Sequence, residues 1–218
     1  MTKKAIIVGA SGLIGSNLLD ILLTQTDYDE VLVIARKKSK NKNIKLSQLV
    51  IDFDKLDDFK DQITGNVLFC CLGTTRKATP DLADYRKIDH DYPVKLAEIA
   101  LENGISQFHY VSAIGANSRS SNFYTKIKGD AEDDLKQVGL KSLQIYEPSL
   151  LIGNRKKRRM IESIASILMT IINPLLLGGL RKYRAIKAIN VAKAMFKQSL
   201  KNKVGIQIYT TDQIQKRA

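Results

Sequence analysis

Tyr124 and Lys128 stand four residues apart in Asn122-Phe-Tyr-Thr-Lys-Ile-Lys128, a stretch that reads as helix, so both side chains leave one face of it. That pairing suits proton chemistry. A tyrosine phenol has a reference pKa of about 10, too high for an efficient proton donor and acceptor near neutrality. A neighbouring ammonium favours the phenolate and lowers that value. The bland alternative is a ring packed on a sheet beside a solvated lysine. A second signal is Gly9-Ala-Ser-Gly12-Leu-Ile-Gly15, near the start of the chain. Glycines there let backbone approach a pyrophosphate that side chains would hold off. Gly9, Ser11, Gly12, Leu13, Ile14 and Gly15 are the residues expected around it. The third signal is Arg36. A site for NAD places a carboxylate about twenty residues past the glycines to accept the ribose hydroxyls. A guanidinium there can instead hold a 2′-phosphate by paired charge-assisted hydrogen bonds, so NADP(H) is expected over NAD(H). Lys37, Lys38, Lys40 and Lys42 read as a solvated basic turn.

The elements that must position these groups alternate along the chain. Lys4-Ala-Ile-Ile-Val8 is a buried strand, the Leu/Ile-rich segment after Gly15 is a helix, and Val31-Leu-Val-Ile-Ala35 is a second strand. The helix start offers unpaired N–H groups and a positive dipole end to phosphates. A third strand is expected in Leu49-Val-Ile-Asp52-Phe-Asp54. Asp52 there, with Phe53 beside it, could accept from an adenine amino group, or could cap a short helix over Asp54–Ile63. The strand Asn66–Leu72 runs into Gly73-Thr74, small enough for backbone to reach a ribose. A polar link over Asp81–Arg86 leads to a helix from about Asp89 to Glu102, stopped at Asn103-Gly104. The strand Phe108–Val111 leads to Ser112, the helix of Tyr124 continues to about Val138, and the strand Ser142–Tyr146 ends in Glu147-Pro148-Ser149. This alternation implies an α/β fold, a Rossmann-type doubly wound parallel sheet.

The chain of 218 residues is read as one domain, with 1–153 as cofactor-binding core and 154–218 as a basic C-terminal lid and substrate region. Residues 153–218 hold 15 basic residues against Glu162 and Asp212 alone, and so carry the whole net charge of +13. That asymmetry points to an anionic partner or surface. Arg155-Lys-Lys-Arg-Arg159 would be its focus. The uncharged run Ser163–Leu180 could be a lid or core, an interfacial membrane contact or a span. A helix through about Ile172, broken at Pro174, suits the lid. A strand near Tyr183–Ile186, a helix over Asn190–Leu200, a strand over Gly205–Tyr209 and a polar terminus complete the reading. Cys70 and Cys71 are neighbours on a strand and point to opposite faces, so buried, reduced thiols are expected rather than a disulfide. His90 and His109 lack partners at ligand spacing, so no metal site is expected. No signal pattern opens the chain, which reads as cytoplasmic, with membrane contact at its periphery through the basic cluster.

Taken together, these residues resemble the short-chain dehydrogenase/reductases. Gly9-x-x-Gly12-x-x-Gly15 matches the nucleotide turn of extended and atypical members, and Ser112 precedes Tyr124 by twelve residues, as the family's catalytic serine does. Pro148 matches the turn bordering the nicotinamide. Ile51-Asp-Phe-Asp-Lys-Leu-Asp-Asp58, Cys71-Leu-Gly-Thr-Thr-Arg76 and Ser120-Ser-Asn-Phe-Tyr124 are similar to the Tat-interacting-protein-like atypical group, which binds NADPH. The resemblance implies that Ser112, Tyr124 and Lys128 are catalytic, that Lys128 also holds the nicotinamide ribose, and that Leu72, Gly73, Thr74 and Pro148 contact the cofactor. It implies hydride transfer to or from a small carbonyl or alcohol. Asp89 stands where many members have an asparagine that helps hold a relay water, and Glu147 precedes Pro148 where an arginine is common. The alternative is an NADPH-binding regulator with little turnover that acts through a protein partner. The basic tail lacks a nucleic-acid recognition motif, and nucleic acid is not expected as a partner.

Overall fold

The central strands are apolar on both faces, as a sheet covered by helices on both sides requires. The computed structural model describes residues 3–153, 176 and 178–218. Its strands are β1 (Lys4–Val8), β2 (Glu30–Ala35), β3 (Leu46–Val50), β4 (Val67–Cys70), β5 (Gln107–Val111), β6 (Ser142–Glu147), β7 (Leu151–Ile152), β8 (Ile186–Lys187) and β9 (Gly205–Thr210). Its helices are α1 (Leu13–Thr24), α2 (Leu82–Arg86), α3 (Tyr92–Glu102), α4 (Phe123–Gln137), α5 (Ala188–Ser199) and α6 (Thr211–Gln215). Seven strands form one parallel sheet in the order β3-β2-β1-β4-β5-β6-β9, and β7 pairs with β8 apart from it. The order reverses between β1 and β4, which opens a crevice at the strands' C-terminal ends. This is the Rossmann-type architecture expected.

Strand periodicity divides the core in two. Ile7, Val33 and Phe69 face Leu18 and Leu22 of α1 and Met195 of α5. Ile6, Leu68 and Phe108 face Leu96 of α3 and Leu135 of α4.

Several elements differ from expectation. The link Asp81–Arg86 is helical, because Asp81 caps it by accepting from the Asp84 N–H at 2.9 Å. The helix then continues through a π-helical turn, Lys87–Asp91, into α3. Pro93 has no N–H for the Asp89 carbonyl four residues back, and the Tyr110 hydroxyl donates to that carbonyl at 3.0 Å. The third strand ends at Val50, and a 3-10 segment over Phe53–Gln62 follows. Gly178–Tyr183 is also 3-10, and the strand expected near Tyr183–Ile186 is the two-residue β8. The polar terminus holds α6, anchored by the fully buried Ile214. The basic cluster Arg155–Arg159 and the helix expected through Ile172 lie outside the described residues. Among the described residues no helix is long and apolar enough to cross a membrane.

His109 belongs to the core. Its Nδ1 pairs with the Tyr146 hydroxyl at 3.0 Å and its Nε2 with Gln107 Oε1 at 3.2 Å. Gln107 Nε2 in turn donates to the Ser199 carbonyl at 3.0 Å. An amide oxygen only accepts, so Nε2 carries the ring proton and Nδ1 accepts from Tyr146. Burial pushes the imidazole pKa down to about 3. The unfolded chain takes up this proton near pH 6.5, and the folded chain does not until about pH 3. Stability from neutral His109 is therefore full above pH 6.5 and declines as pH falls toward 3. Urea unfolding across this range should show a shallower acid decline for His109→Gln than for wild type, since the carboxylates contribute equally to both.

Candidate active site

At Gly9, φ is +82°, and a Cβ there would sit 2.5 Å from the Cys71 carbonyl oxygen. One at Gly15 would sit 2.2 Å from the Gly9 carbonyl. Both positions thus exclude side chains, and α1 starts hard against the strand ends. Its N-cap is Gly12, with no side-chain cap and no acidic residue in the first turn. The free N–H groups at this helix start therefore face the cleft beside positive dipole. The turn fits a pyrophosphate.

A cavity of about 340 Å³ opens over this turn. Gly12, Leu13 and Ile14 form one side, Leu72, Gly73 and Thr74 after β4 the next, and Ser112, Tyr124, Lys128 and Pro148 the far end. Gly9 and Gly15 support the turn from beneath, and Ser11 is exposed on it. Arg36 and Asp52 are exposed at the adjacent ends of β2 and β3, which the Ile51 N–H joins by donating to the Ala35 carbonyl at 3.0 Å. Asp52 Oδ1 accepts from the Asp54 N–H at 3.1 Å, so it caps the 3-10 segment. Phe53 is buried against Tyr92, with ring centroids 5.4 Å apart. It belongs to the core side of this corner.

The turn bearing Pro148 is fixed from three directions. Its carbonyl accepts from the Ile114 N–H at 3.0 Å, and the Ser149 N–H donates to Thr211 Oγ1, at the start of α6, at 2.8 Å. The Ser149 hydroxyl donates to the Arg184 carbonyl. Asn122 caps α4 by accepting from the N–H groups of Tyr124 and Thr125 at 3.0 and 3.2 Å. That cap sets the helical row of Tyr124 and Lys128.

Lys128 is buried. Its ammonium lies 2.9 Å from Asp89 Oδ1 and donates to the Tyr110 hydroxyl at 3.2 Å and the Val111 carbonyl at 3.3 Å. Asp89 Oδ2 accepts from the Thr74 N–H at 2.8 Å, tying the ion pair to the loop after β4. Burial alone would lower the Lys128 pKa, but Tyr110 and Asp89 offset it and hold the group well above its ordinary value. Lys128 stays charged.

Tyr124 behaves differently from expectation. Its side chain is 42 % exposed, and among the described residues no hydrogen bond reaches its hydroxyl. Desolvation raises the phenol pKa, Lys128 opposes that rise and Asp89 adds to it. Lys128 still pulls the phenol down, but desolvation outweighs it, so the net lowering that was expected is not found. Ser112 also has a partner: its Oγ donates to Glu132 Oε1 at 2.5 Å. Sequence reading passed over Glu132, although it continues the four-residue spacing Tyr124, Lys128, Glu132 on one helical row. The roles of Asp89 and Tyr110 left no such signal, because their meeting with Lys128 is made by the fold.

The thiols of Cys70 and Cys71 are free. Burial pushes Cys70 up to about 12 and raises Cys71 as well, so neither is poised as a thiolate.

A family model described as NAD(P)H-binding matches residues 9–172. The chain belongs to this NAD(P)H-binding family. It is 36% identical over 168 residues to Protein HTATIP2 of Rattus norvegicus, covering 75% of this chain and 69% of that protein. It is 32% identical over 155 residues to "Protein FMP52, mitochondrial" of Eremothecium gossypii, covering 70% and 68%. Among solved structures, MoeE5 in complex with UDP-glucuronic acid and NAD superposes with a TM-score of 0.72 at 14% identity, over 94% of this chain and 75% of that one. A UDP-N-acetylglucosamine 4-epimerase from Methanobrevibacter ruminantium M1 gives 0.69 at 18%, over 96% and 76%. These likenesses carry the fold, and the family gives a nicotinamide-dinucleotide-binding domain.

The family corrects one expectation. A cytoplasmic setting at the edge of a membrane is overturned by the relatives from Eremothecium gossypii, Coccidioides immitis and Emericella nidulans, all named mitochondrial. The lack of a signal pattern had suggested the cytoplasm, but that speaks only of secretion.

Replacing Lys128 by Met should leave Asp89 buried without its cation and cost about 3–5 kcal/mol of stability. Asp89→Asn in the same chain should recover much of that loss. A urea-melt double-mutant cycle with no coupling between the two would remove the ion pair from this account.

Proposed function

We propose that this protein is an NADP(H)-dependent oxidoreductase of the short-chain dehydrogenase type, acting on a small carbonyl or alcohol. The observation that supports it is the convergence, in one cavity of about 340 Å³, of the uncapped α1 start with Ser112, Tyr124 and Lys128. When bound, the nicotinamide supplies or accepts the hydride. Tyr124 gives a proton to the substrate oxygen, or takes one from it. Lys128 supplies the fixed positive charge beside the phenol, and its position comes from Asp89 and Tyr110. Ser112 holds the substrate oxygen. Pro148 and Leu151 add an apolar wall that limits water.

Gly9, Gly12, Gly15 and the N–H groups of Leu13 and Ile14 would cradle the pyrophosphate, with Ser11 on the rim and Leu72, Gly73 and Thr74 beside the ribose. Arg36 favours the 2′-phosphate of NADP(H), because it is exposed at the β2 end and no described carboxylate pairs with it. The adenine lies, on this reading, near Asp52 and Phe53. The whole chain acts as one domain, with 154–218 covering the substrate. The anionic partner of Arg155–Arg159 rests on charge alone.

A second reading has a specific observation behind it. Lys128 is gripped by Asp89 and the Ser112 proton by Glu132, so the resting site is not primed for turnover. An NADPH-binding regulator acting through a protein partner would need no more than the cofactor cradle.

Calorimetry should give at least tenfold tighter binding of NADPH than NADH, since a charge-assisted contact contributes about 1.5–3 kcal/mol. Arg36→Ala should remove most of the difference, and equal wild-type affinities would exclude the 2′-phosphate contact. A panel of aldehydes, ketones and quinones should include a compound that oxidises NADPH with saturation. Tyr124→Phe should slow it by about a hundredfold or more while leaving NADPH affinity nearly unchanged. Full activity in Tyr124→Phe would rule out the phenol as proton donor. The regulator reading instead expects that substitution to be silent and NADPH to alter the affinity for a protein partner.

A further inference from the structure

Ser112 has one proton to donate. The structure gives it to Glu132, whose Oε1 lies 2.5 Å from Ser112 Oγ, and both side chains are buried. While Glu132 is ionised, the hydroxyl proton faces the carboxylate, and only the lone pairs of Ser112 face the cavity. Such a hydroxyl can accept from an alcohol but cannot donate to a carbonyl oxygen. When Glu132 is protonated, its own O–H can donate to Ser112 Oγ, and the serine proton turns to the cavity. We propose that Glu132 is a positioning residue that sets the direction of the Ser112 hydroxyl, so that its ionised form holds an alcohol and its protonated form a carbonyl.

The groups around Glu132 make its proton sensitive to the site. Lys136, one helical turn on, approaches it at 3.7 Å, and Asp133 stands beside it on α4. Glu147 faces it from the end of β6, with Lys182 beyond. Burial raises the Glu132 pKa, the Ser112 hydrogen bond and Lys136 lower it, Asp133 raises it, and the balance lies above its ordinary value. Glu147 is pushed up to about 7 by burial and by the charge of Glu132. The proton added to the substrate oxygen still comes from Tyr124. Glu132 changes only which way Ser112 points.

This inference rests on the oxidoreductase reading for its consequence, but not for its first test. With carboxyl-labelled glutamate, carbon NMR follows Glu132 against pH in the protein without cofactor or substrate, assigned by loss of the signal in Glu132→Gln. The midpoint should lie above the ordinary value of about 4.3. It should rise further in Ser112→Ala, which removes the bond that favours the ionised form. A midpoint that Ser112→Ala leaves in place overturns the proposal. The second test reads kcat/KM for NADPH-dependent reduction of para-nitrobenzaldehyde. Wild type should fall about tenfold per pH unit above the Glu132 midpoint, the slope of one required proton. Glu132→Gln, whose amide can donate or accept at any pH, should lose that limb while keeping activity. Glu132→Ala should also lose the limb, and should be slower than wild type below the midpoint, where the serine is no longer oriented. The same limb in wild type and Glu132→Gln overturns the proposal. If wild type reduces no member of the carbonyl panel while Ser112→Ala still moves the Glu132 midpoint, the oxidoreductase reading fails and the positioning of Ser112 stands.

Discussion

The Lys128–Asp89 ion pair is the contact on which the rest of the site depends. It joins α4, the π-helical turn before α3 and the loop after β4 at one buried point. Two buried charges of opposite sign are tolerable together and costly apart, so the fold must bring all three segments to the same place. The Tyr110 hydroxyl closes the arrangement by accepting from Lys128 and donating to the Asp89 carbonyl. The proline at the head of α3 is part of the same construction, since it leaves that carbonyl available.

The pair also sets the electrostatic character of the cavity. An unpaired ammonium would pull the neighbouring phenol down strongly, whereas a paired one leaves it in the raised range that burial imposes. At the same end of the cavity, Ser112 and Glu132 make a second paired arrangement. Both Lys128 and Ser112 thus have protein partners before any ligand arrives. A ligand must compete with protein partners for Lys128 and Ser112, which ties binding to small rearrangements of proton and hydrogen bond.

Much of this was legible in the sequence, and the reasons differ by residue. The glycine turn, the strands and the Tyr124–Lys128 row were readable because each is a local pattern tied to helical or strand periodicity. Ser112 was placed by resemblance, and its position at the end of β5 agrees. Asp89 could be seen as a departure but not as the partner of Lys128, because no periodicity links the two. Glu132 lay in plain register with Lys128, yet a glutamate on a helix usually reads as a solvated charge. The segment over Asp81–Arg86 was misread for a similar reason: its polarity suggested a link, whereas Asp81 is a cap and Tyr85 is buried. Asp52 left two readings open at the sequence level, and its side chain is occupied in capping.

The edge strand β9 has a consequence for how the molecule is made. Ser142 of β6 pairs with Gly205, and the Pro148-Ser149 turn is pinned by Thr211. During synthesis, β6 therefore emerges long before its neighbour and waits as an open edge, the kind of surface that recruits wrong partners. Only when β9 and Thr211 have left the ribosome can the sheet close and the turn beside the cavity settle. A chain cut before β9 would keep the glycine turn but leave the far wall of the cavity unfastened. The turn beside the cavity is thus fastened by a residue 62 positions further along the chain than Ser149.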